Sequence, residues 1–156
     1  MSRVGTRTPV QVNVVCFTVR SAEKSPEVLI LKRNSKKGGF WQCVTGGVEV
    51  GETTSQAALR EVGEELGITV EPDRLLTTTL DYSFTAQNGT VLREYVFGYR
   101  ISDPSAVTLS DEHVALKWCT PEEAKQCMKY DNNRKAIDAV MSSLSKNVGN
   151  TFRSDI

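Results

Sequence analysis

Residues 46–68, "GGVEVGETTSQAALREVGEELGI", decide how this chain is read. Glu61, Glu64 and Glu65 crowd into five consecutive positions there. Like charges three or four apart on a helix repel one another. The whole chain is balanced, with 19 basic residues against 19 acidic, so the crowding is local and needs a local cause. The flanking residues say what it sits on. Gly51-Glu52 is turn-like, and Thr53 with Gln56 makes a capping-box pattern. "TSQAALREVGEEL" then predicts a helix that ends at Gly67, a natural C-cap. Ala58, Val62 and Leu66 recur every four residues and take its core face. Glu61 and Glu65 are also four apart, with Glu64 beside them, so the three carboxylates share a side. Arg60 is the single cation among them, and Glu52 is its natural partner.

On either side of this stretch, strand and helix patterns mix. "VQVNVVCFTV" (10–19) alternates and is rich in β-branched residues, which predicts a strand, and "VLILKR" predicts a second. Lys36-Lys37-Gly38-Gly39 forms a loop before "FWQCVTGGVEV", read as one further strand. "LLTTTLDYSF" and "TVLREYVFGYRI" pair as a hairpin, with Asn88-Gly89 in its turn. "HVALKW" is a short strand. Thr120-Pro121-Glu122-Glu123 opens a helix with a second capping box and Pro at the first position. In a last helix Ala136, Ile137, Val140, Met141 and Leu144 line one face.

These elements predict an α/β (α+β) protein. At 156 residues and 39% hydrophobic content the chain builds one core, in a single domain over 1–146, followed by a polar tail at 147–156. The charge balance gives no global field for nucleic acid or anionic lipid. No run approaches the ~18 apolar residues of a membrane span. The first residues lack a signal-peptide core, so the expected location is cytoplasmic. Cys16, Cys43, Cys119 and Cys127 are scattered, without a CxxC pair and with His113 the one histidine. Reduced thiols are expected, rather than a zinc site or a disulfide framework.

Clustered carboxylates become tolerable when a divalent cation neutralises them, and hard oxygen ligands suit Mg²⁺, with Mn²⁺ as a substitute. A solvated acidic helix face is the plain alternative. The spacing separates the two. Gly46, five residues, Glu52, seven residues, then Arg60-Glu61-Val62-Gly63-Glu64-Glu65-Leu66-Gly67-Ile68 resembles the Nudix box, Gx5Ex7REUxEExGU with U aliphatic, at every defined position. The resemblance implies the Nudix fold, a mixed β-sheet sandwiched between helices, with the box as loop–helix–loop. It also implies hydrolysis of a nucleoside diphosphate linked to another group. By position, Glu61 and Glu65 correspond to the main metal ligands, Glu64 assists, and Gly46 belongs to the same metal-binding box. Glu52 and Arg60 correspond to a buried pair that orients the loop against the helix.

"FWQCVTGGVEVGET" and "DEHVALKWCTPEEA" extend the resemblance to the branch of dihydroneopterin triphosphate pyrophosphatases, also described as dATP pyrophosphohydrolases. In that branch a Glu before a His completes the metal site, which matches Glu112; a solvated loop residue is the alternative. Arg33, Lys32 and Thr45 match positions expected to touch phosphates or base, and Arg7 is a further candidate. Surface solvation is the alternative for Arg7 and Lys32. Phe40 and Trp41 are candidates to stack on a purine or pterin, with a core role the alternative for Trp41. His113 either hydrogen-bonds substrate or packs. The Gly46-Gly47 pair and the 75–101 hairpin depart from the branch pattern.

The expected reaction is Mg²⁺-dependent release of pyrophosphate and a monophosphate from a nucleotide or pterin triphosphate. No Ser/Cys triad and no P-loop motif supports covalent or Walker-type chemistry. Diadenosine polyphosphate hydrolysis and RNA 5′-pyrophosphohydrolysis are alternatives on the same box; the Trp-Gln pair resembles the latter, while the missing basic surplus speaks against RNA. A non-catalytic nucleotide-sensing module is the rival from another class, opposed by the intact box glutamates.

Overall fold

The computed structural model describes the backbone of residues 7–155 and the side chains of residues 8–145. The chain runs β1 (Arg7–Thr18), β2 (Glu27–Arg33), β3 (Trp41–Gln42), β4 (Val44–Glu49), α1 (Thr54–Leu66), β5 (Leu75–Thr85), β6 (Val91–Arg100), β7 (His113–Cys119), α2 (Pro121–Cys127) and α3 (Asp131–Asp155). The strands form one seven-stranded mixed sheet in the order β3-β2-β1-β6-β5, with β4 paired to β1 and β7 to β2. β1 lies antiparallel to β2 and β4 and parallel to β6.

β1 is buried on both faces, and its period-two alternation divides the core. Val12, Val14 and Cys16 face one cluster with Leu29, Leu31 and the α1 residues Ala58, Val62 and Leu66. Val15 and Phe17 face the other, with Ile30, Cys119 and the α3 residues Ala136, Ile137 and Val140. The sheet is therefore covered by α1 on one side and by α2 and α3 on the other, the sandwich expected from the sequence. The hairpin also forms as expected, with Gly89 at φ 86° in its turn and β5 antiparallel to β6.

One expected element divides. "FWQCVTGGVEV" is two strands, because β3 pairs with β2 while β4 crosses to pair with β1. Cys43, at the changeover, is fully buried. All four cysteines are free, and burial raises the Cys16, Cys43 and Cys119 thiols, which keeps them protonated. Among the described residues no helix is long and apolar enough to cross a membrane.

Candidate active site

α1 begins where the sequence places it. Thr53 Oγ1 accepts from the Gln56 backbone N–H at 3.0 Å, and Gln56 Oε1 accepts from the Thr53 N–H at 2.9 Å. Gly67, at φ 64°, closes the helix by donating its N–H to Gly63 O at 3.0 Å. Ala57, Ala58, Val62 and Leu66 are wholly buried and fix the rotation of the helix. That rotation carries Glu61 and Glu65 inward, to 5% and 3% exposure, and leaves Glu64 open.

Arg60 ties the preceding loop to the helix. Its Nε donates to Glu52 Oε2 at 2.7 Å, and its Nη2 donates to Glu52 Oε1 at 3.0 Å and to Gly47 O at 2.8 Å. Its Nη1 donates to Glu61 Oε2 at 2.9 Å and to Glu64 Oε1 at 3.4 Å. Glu52 Oε1 also accepts the Glu49 N–H at 3.0 Å. A planar guanidinium with five donors can serve all of these acceptors at once; an ammonium cannot. Gly46 supplies the space for Glu61: a Cβ there would stand 2.1 Å from both Cδ and Oε2 of Glu61.

Burial dominates the electrostatics. It raises the Glu65 carboxyl well above the usual carboxylate range, with the Glu61 charge and hydrogen bond adding to the effect. Glu61 is raised too, again chiefly by burial, with Arg60 opposing. Burial likewise lowers His113 and keeps its ring neutral. Gln42 Nε2 lies 3.1 Å from His113 Nε2, and His113 Nε2 lies 3.8 Å from Glu65 Oε1. With a neutral ring at that distance, His113 and Glu65 are neighbours rather than an ion pair.

Glu112 arrives from the loop before β7. Asn34 holds that loop, its N–H donating to Glu112 O at 3.1 Å and its Nδ2 to Asp111 O at 3.2 Å. Lys37 Nζ lies 3.3 Å from Glu112 Oε1. Glu112, Glu61, Glu64, Gly46, Thr45 and Arg33 line one cleft of about 470 Å³, together with Gly47 and Gln11. Gln11 and Thr45 also line a second cavity of about 540 Å³, to which Phe40, Phe84 and Tyr130 contribute. Phe40 meets Tyr130 edge to face at 5.3 Å, and the Arg33 guanidinium lies 5.9 Å from the Phe40 ring centre.

Among the other sequence candidates, Lys32 pairs with Trp41 across β2 and β3, so both point to one face. Trp41 packs there against the α2–α3 cluster, and neither residue lines the two cavities described. Arg7 pairs through its backbone with Glu49, and its side chain lies outside the described residues. The second cavity also contains residues the sequence reading passed over: Asn13, Glu94, Tyr130 and Asn133. Asn13 carried a signal, a polar residue amid the apolar alternation of β1 that is only 1% exposed. Lys37 carried none.

The donor set suits a hard divalent cation. Among the described residues, Glu65 Oε1 is a buried acceptor with no hydrogen-bond partner, and Arg33 Nε is a buried donor in the same state. A cation and a phosphate oxygen would satisfy them respectively. Among the described residues no three carboxylate, His or Cys side chains converge at ligating distance. Arg60 holds Glu61 and Lys37 holds Glu112, as expected of like charges that turn to the nearest cations.

A carboxylate-bearing loop–helix–loop over a mixed sheet, beside an aromatic cavity, is the arrangement of a Nudix-type hydrolase. The chain belongs to the NUDIX domain family, whose family model matches residues 9–140. It is similar to the dihydroneopterin triphosphate diphosphatase of Escherichia coli, 34% identical over 140 residues that cover 83% of this chain and 90% of that protein. The solved structure of the Escherichia coli dihydroneopterin triphosphate pyrophosphohydrolase superposes with a TM-score of 0.71 at 32% identity, over 85% of this chain and 94% of the other. A Caenorhabditis elegans Ap4A hydrolase superposes with a TM-score of 0.65 at 25% identity, over 87% and 98%. The chain also matches 121 residues of a Myxococcus xanthus octanoyltransferase at 32% identity, but spans only 32% of that protein's length.

Proposed function

We propose that this NUDIX protein cleaves the phosphate chain of a nucleotide or pterin triphosphate, dihydroneopterin triphosphate or a dATP-like molecule, releasing pyrophosphate and a monophosphate in a Mg²⁺-dependent reaction. The carrying observation is that the carboxylate cleft and the aromatic cavity adjoin through Gln11 and Thr45. Phosphates belong at the first and a flat heterocycle at the second. The likeness to the Escherichia coli enzyme supports the same reading.

Each residue takes a role suited to its chemistry. Glu61, Glu65 and Glu112 are assigned as Mg²⁺ ligands, with Glu64 assisting. A cation bound there would offset the charge of the phosphate oxygens and acidify the attacking water. Arg33 is assigned to the nonbridging phosphate oxygens, which its Nε, without a partner among the described residues, suits. Arg60 holds Glu61 and the Glu52 turn in place, which fixes the backbone frame from which the cleft carboxylates would reach a cation. A carboxylate of the same cleft takes the proton lost by the attacking water. Phe40 and Tyr130 are assigned to the heterocycle.

A panel of dihydroneopterin triphosphate, dATP, Ap4A and 5′-triphosphorylated RNA, followed by pyrophosphate release with Mg²⁺ and again in excess EDTA, tests this. Turnover of one of the first two, abolished by EDTA, is expected. Undiminished turnover in EDTA, or hydrolysis of Ap4A or RNA alone, overturns it.

A further inference from the structure

The second cavity sets aromatic rings over a polar floor. Gln11 and Glu94 are register partners on the parallel strands β1 and β6, with Asn13 two residues along β1. Glu94 is 4% exposed and lines the cavity. A buried carboxylate is costly unless it is compensated. Among the described residues no Lys or Arg pairs with it. Its partners are neutral donors: Gln11 Nε2 on Oε1, and the Tyr82 hydroxyl with Asn13 Nδ2, the latter at 3.2 Å, on Oε2. Asn13 Nδ2 also lies 3.3 Å from Asn133 Oδ1, which ties the floor to α3.

Resting on the reading that the adjoining cleft takes phosphates, we propose that Glu94 is the specificity-determining acceptor for the heterocycle. It would select rings that present two adjacent N–H groups. An ionised carboxylate only accepts hydrogen bonds. A 2-amino-4-oxopyrimidine edge, shared by guanine and pterin, offers a ring N–H beside an exocyclic amino group and matches both oxygens. Adenine offers an amino group beside a ring nitrogen lone pair, which would face a carboxylate oxygen. Tyr82 grips Oε2 and fixes the carboxylate plane, while Asn13, whose longer bond to Oε2 also faces the cavity, gives up its place there to the second ligand N–H. Gln11 lines both cavities, so its donor on Oε1 is the one a ligand N–H replaces.

The polar network has a competing role, which is simply to tie β1 to β6. Titration calorimetry with guanosine and adenosine 5′-monophosphates separates the two without any turnover. The parent is expected to bind the guanosine ligand about tenfold or more tightly than the adenosine one. Glu94→Gln, which keeps the shape and loses one acceptor, should bring the two within about threefold. Tyr82→Phe, which only loosens the carboxylate, should narrow the gap partially and serves if Glu94→Gln does not fold. A parent that binds both ligands equally, or neither, overturns the proposal. So does a Glu94→Gln protein that weakens both by the same factor. A protein that keeps the guanosine preference yet hydrolyses no triphosphate would sink the proposed activity and leave this assignment standing.

Discussion

At Glu65 two requirements conflict. The helix face that anchors α1 buries this carboxylate beside Glu61, and burial there favours the protonated form. A structural residue at that position would be better apolar. On the proposed reading the conflict is resolved by a cation, so Glu65→Gln should lower kcat by roughly a hundredfold or more, about 3 kcal/mol of transition-state stabilisation. The thermal midpoint of the metal-free protein should hold or rise, because a neutral amide replaces an acid that is costly to ionise. Near-normal turnover of Glu65→Gln would move the metal elsewhere. Glu112 differs: its side chain is 45% exposed and, among the described residues, Lys37 is the cation that restrains the carboxylate, so its removal costs the fold little. Glu112→Gln should slow turnover at saturating Mg²⁺ tenfold or more with an unchanged midpoint, while Asp111→Asn stays within about twofold of the parent. Equal, small effects of both changes would return Glu112 to the role of a loop residue.

At the scale of the element, the Arg60 side chain ties the end of β4 and the turn that follows it, residues 47–52, to α1. Arg60 bonds Glu52 twice, Gly47 O once and Glu61 once at 3.0 Å or less. Arg60→Lys keeps the charge and loses the fork, so the paired bonds to Glu52 and the bond to Gly47 O can no longer be made together. We expect roughly 1–3 kcal/mol of lost stability by denaturant unfolding. Turnover should fall further than stability explains, because Glu61 loses its fixed position. Full activity of Arg60→Lys would show that the loop is ordered by other contacts. Most of this element was legible in the sequence. Capping box, C-cap and core stripe are local signals, and the spacing of Glu52 to Arg60 fixed their partnership. The split of residues 40–50 into β3 and β4 was not legible, since the choice between β2 and β1 as partner is made by strands distant in sequence.

For the whole molecule, the buried pair couples stability to pH and to metal. Glu61 and Glu65 have folded-state values raised above the unfolded ones, so the folded protein holds their protons more tightly. The associated stability is complete below the unfolded carboxylate value and is lost as pH rises through the folded value. The metal-free midpoint should therefore fall from just above the unfolded carboxylate value, about pH 5, to about pH 9, and Glu65→Gln should flatten that fall. Mg²⁺ should restore stability increasingly towards the alkaline end, because ligation displaces the proton. Differential scanning fluorimetry with and without EDTA checks both slopes. A midpoint that rises with pH in EDTA would mean that the pair is already compensated.

The sequence by itself determined the class of this protein, because the box is a local device. Helix, cap, loop and carboxylates lie within 23 consecutive residues, and their geometry follows from 3.6 residues per turn. Only the tertiary structure decided what stands opposite them. Lys32 and Arg33 are adjacent in sequence and equal in charge, yet the pleat of β2 sends Arg33 to the carboxylate cleft and Lys32 to the face shared with Trp41. Phe40 reaches the second cavity while its neighbour Trp41 enters the core. Glu94 meets Gln11 and Asn13 because β6 lies parallel to β1, a pairing 83 residues apart that no local pattern specifies. The side of a pleat and the identity of a strand's neighbour are long-range choices, made by burying both core faces at once.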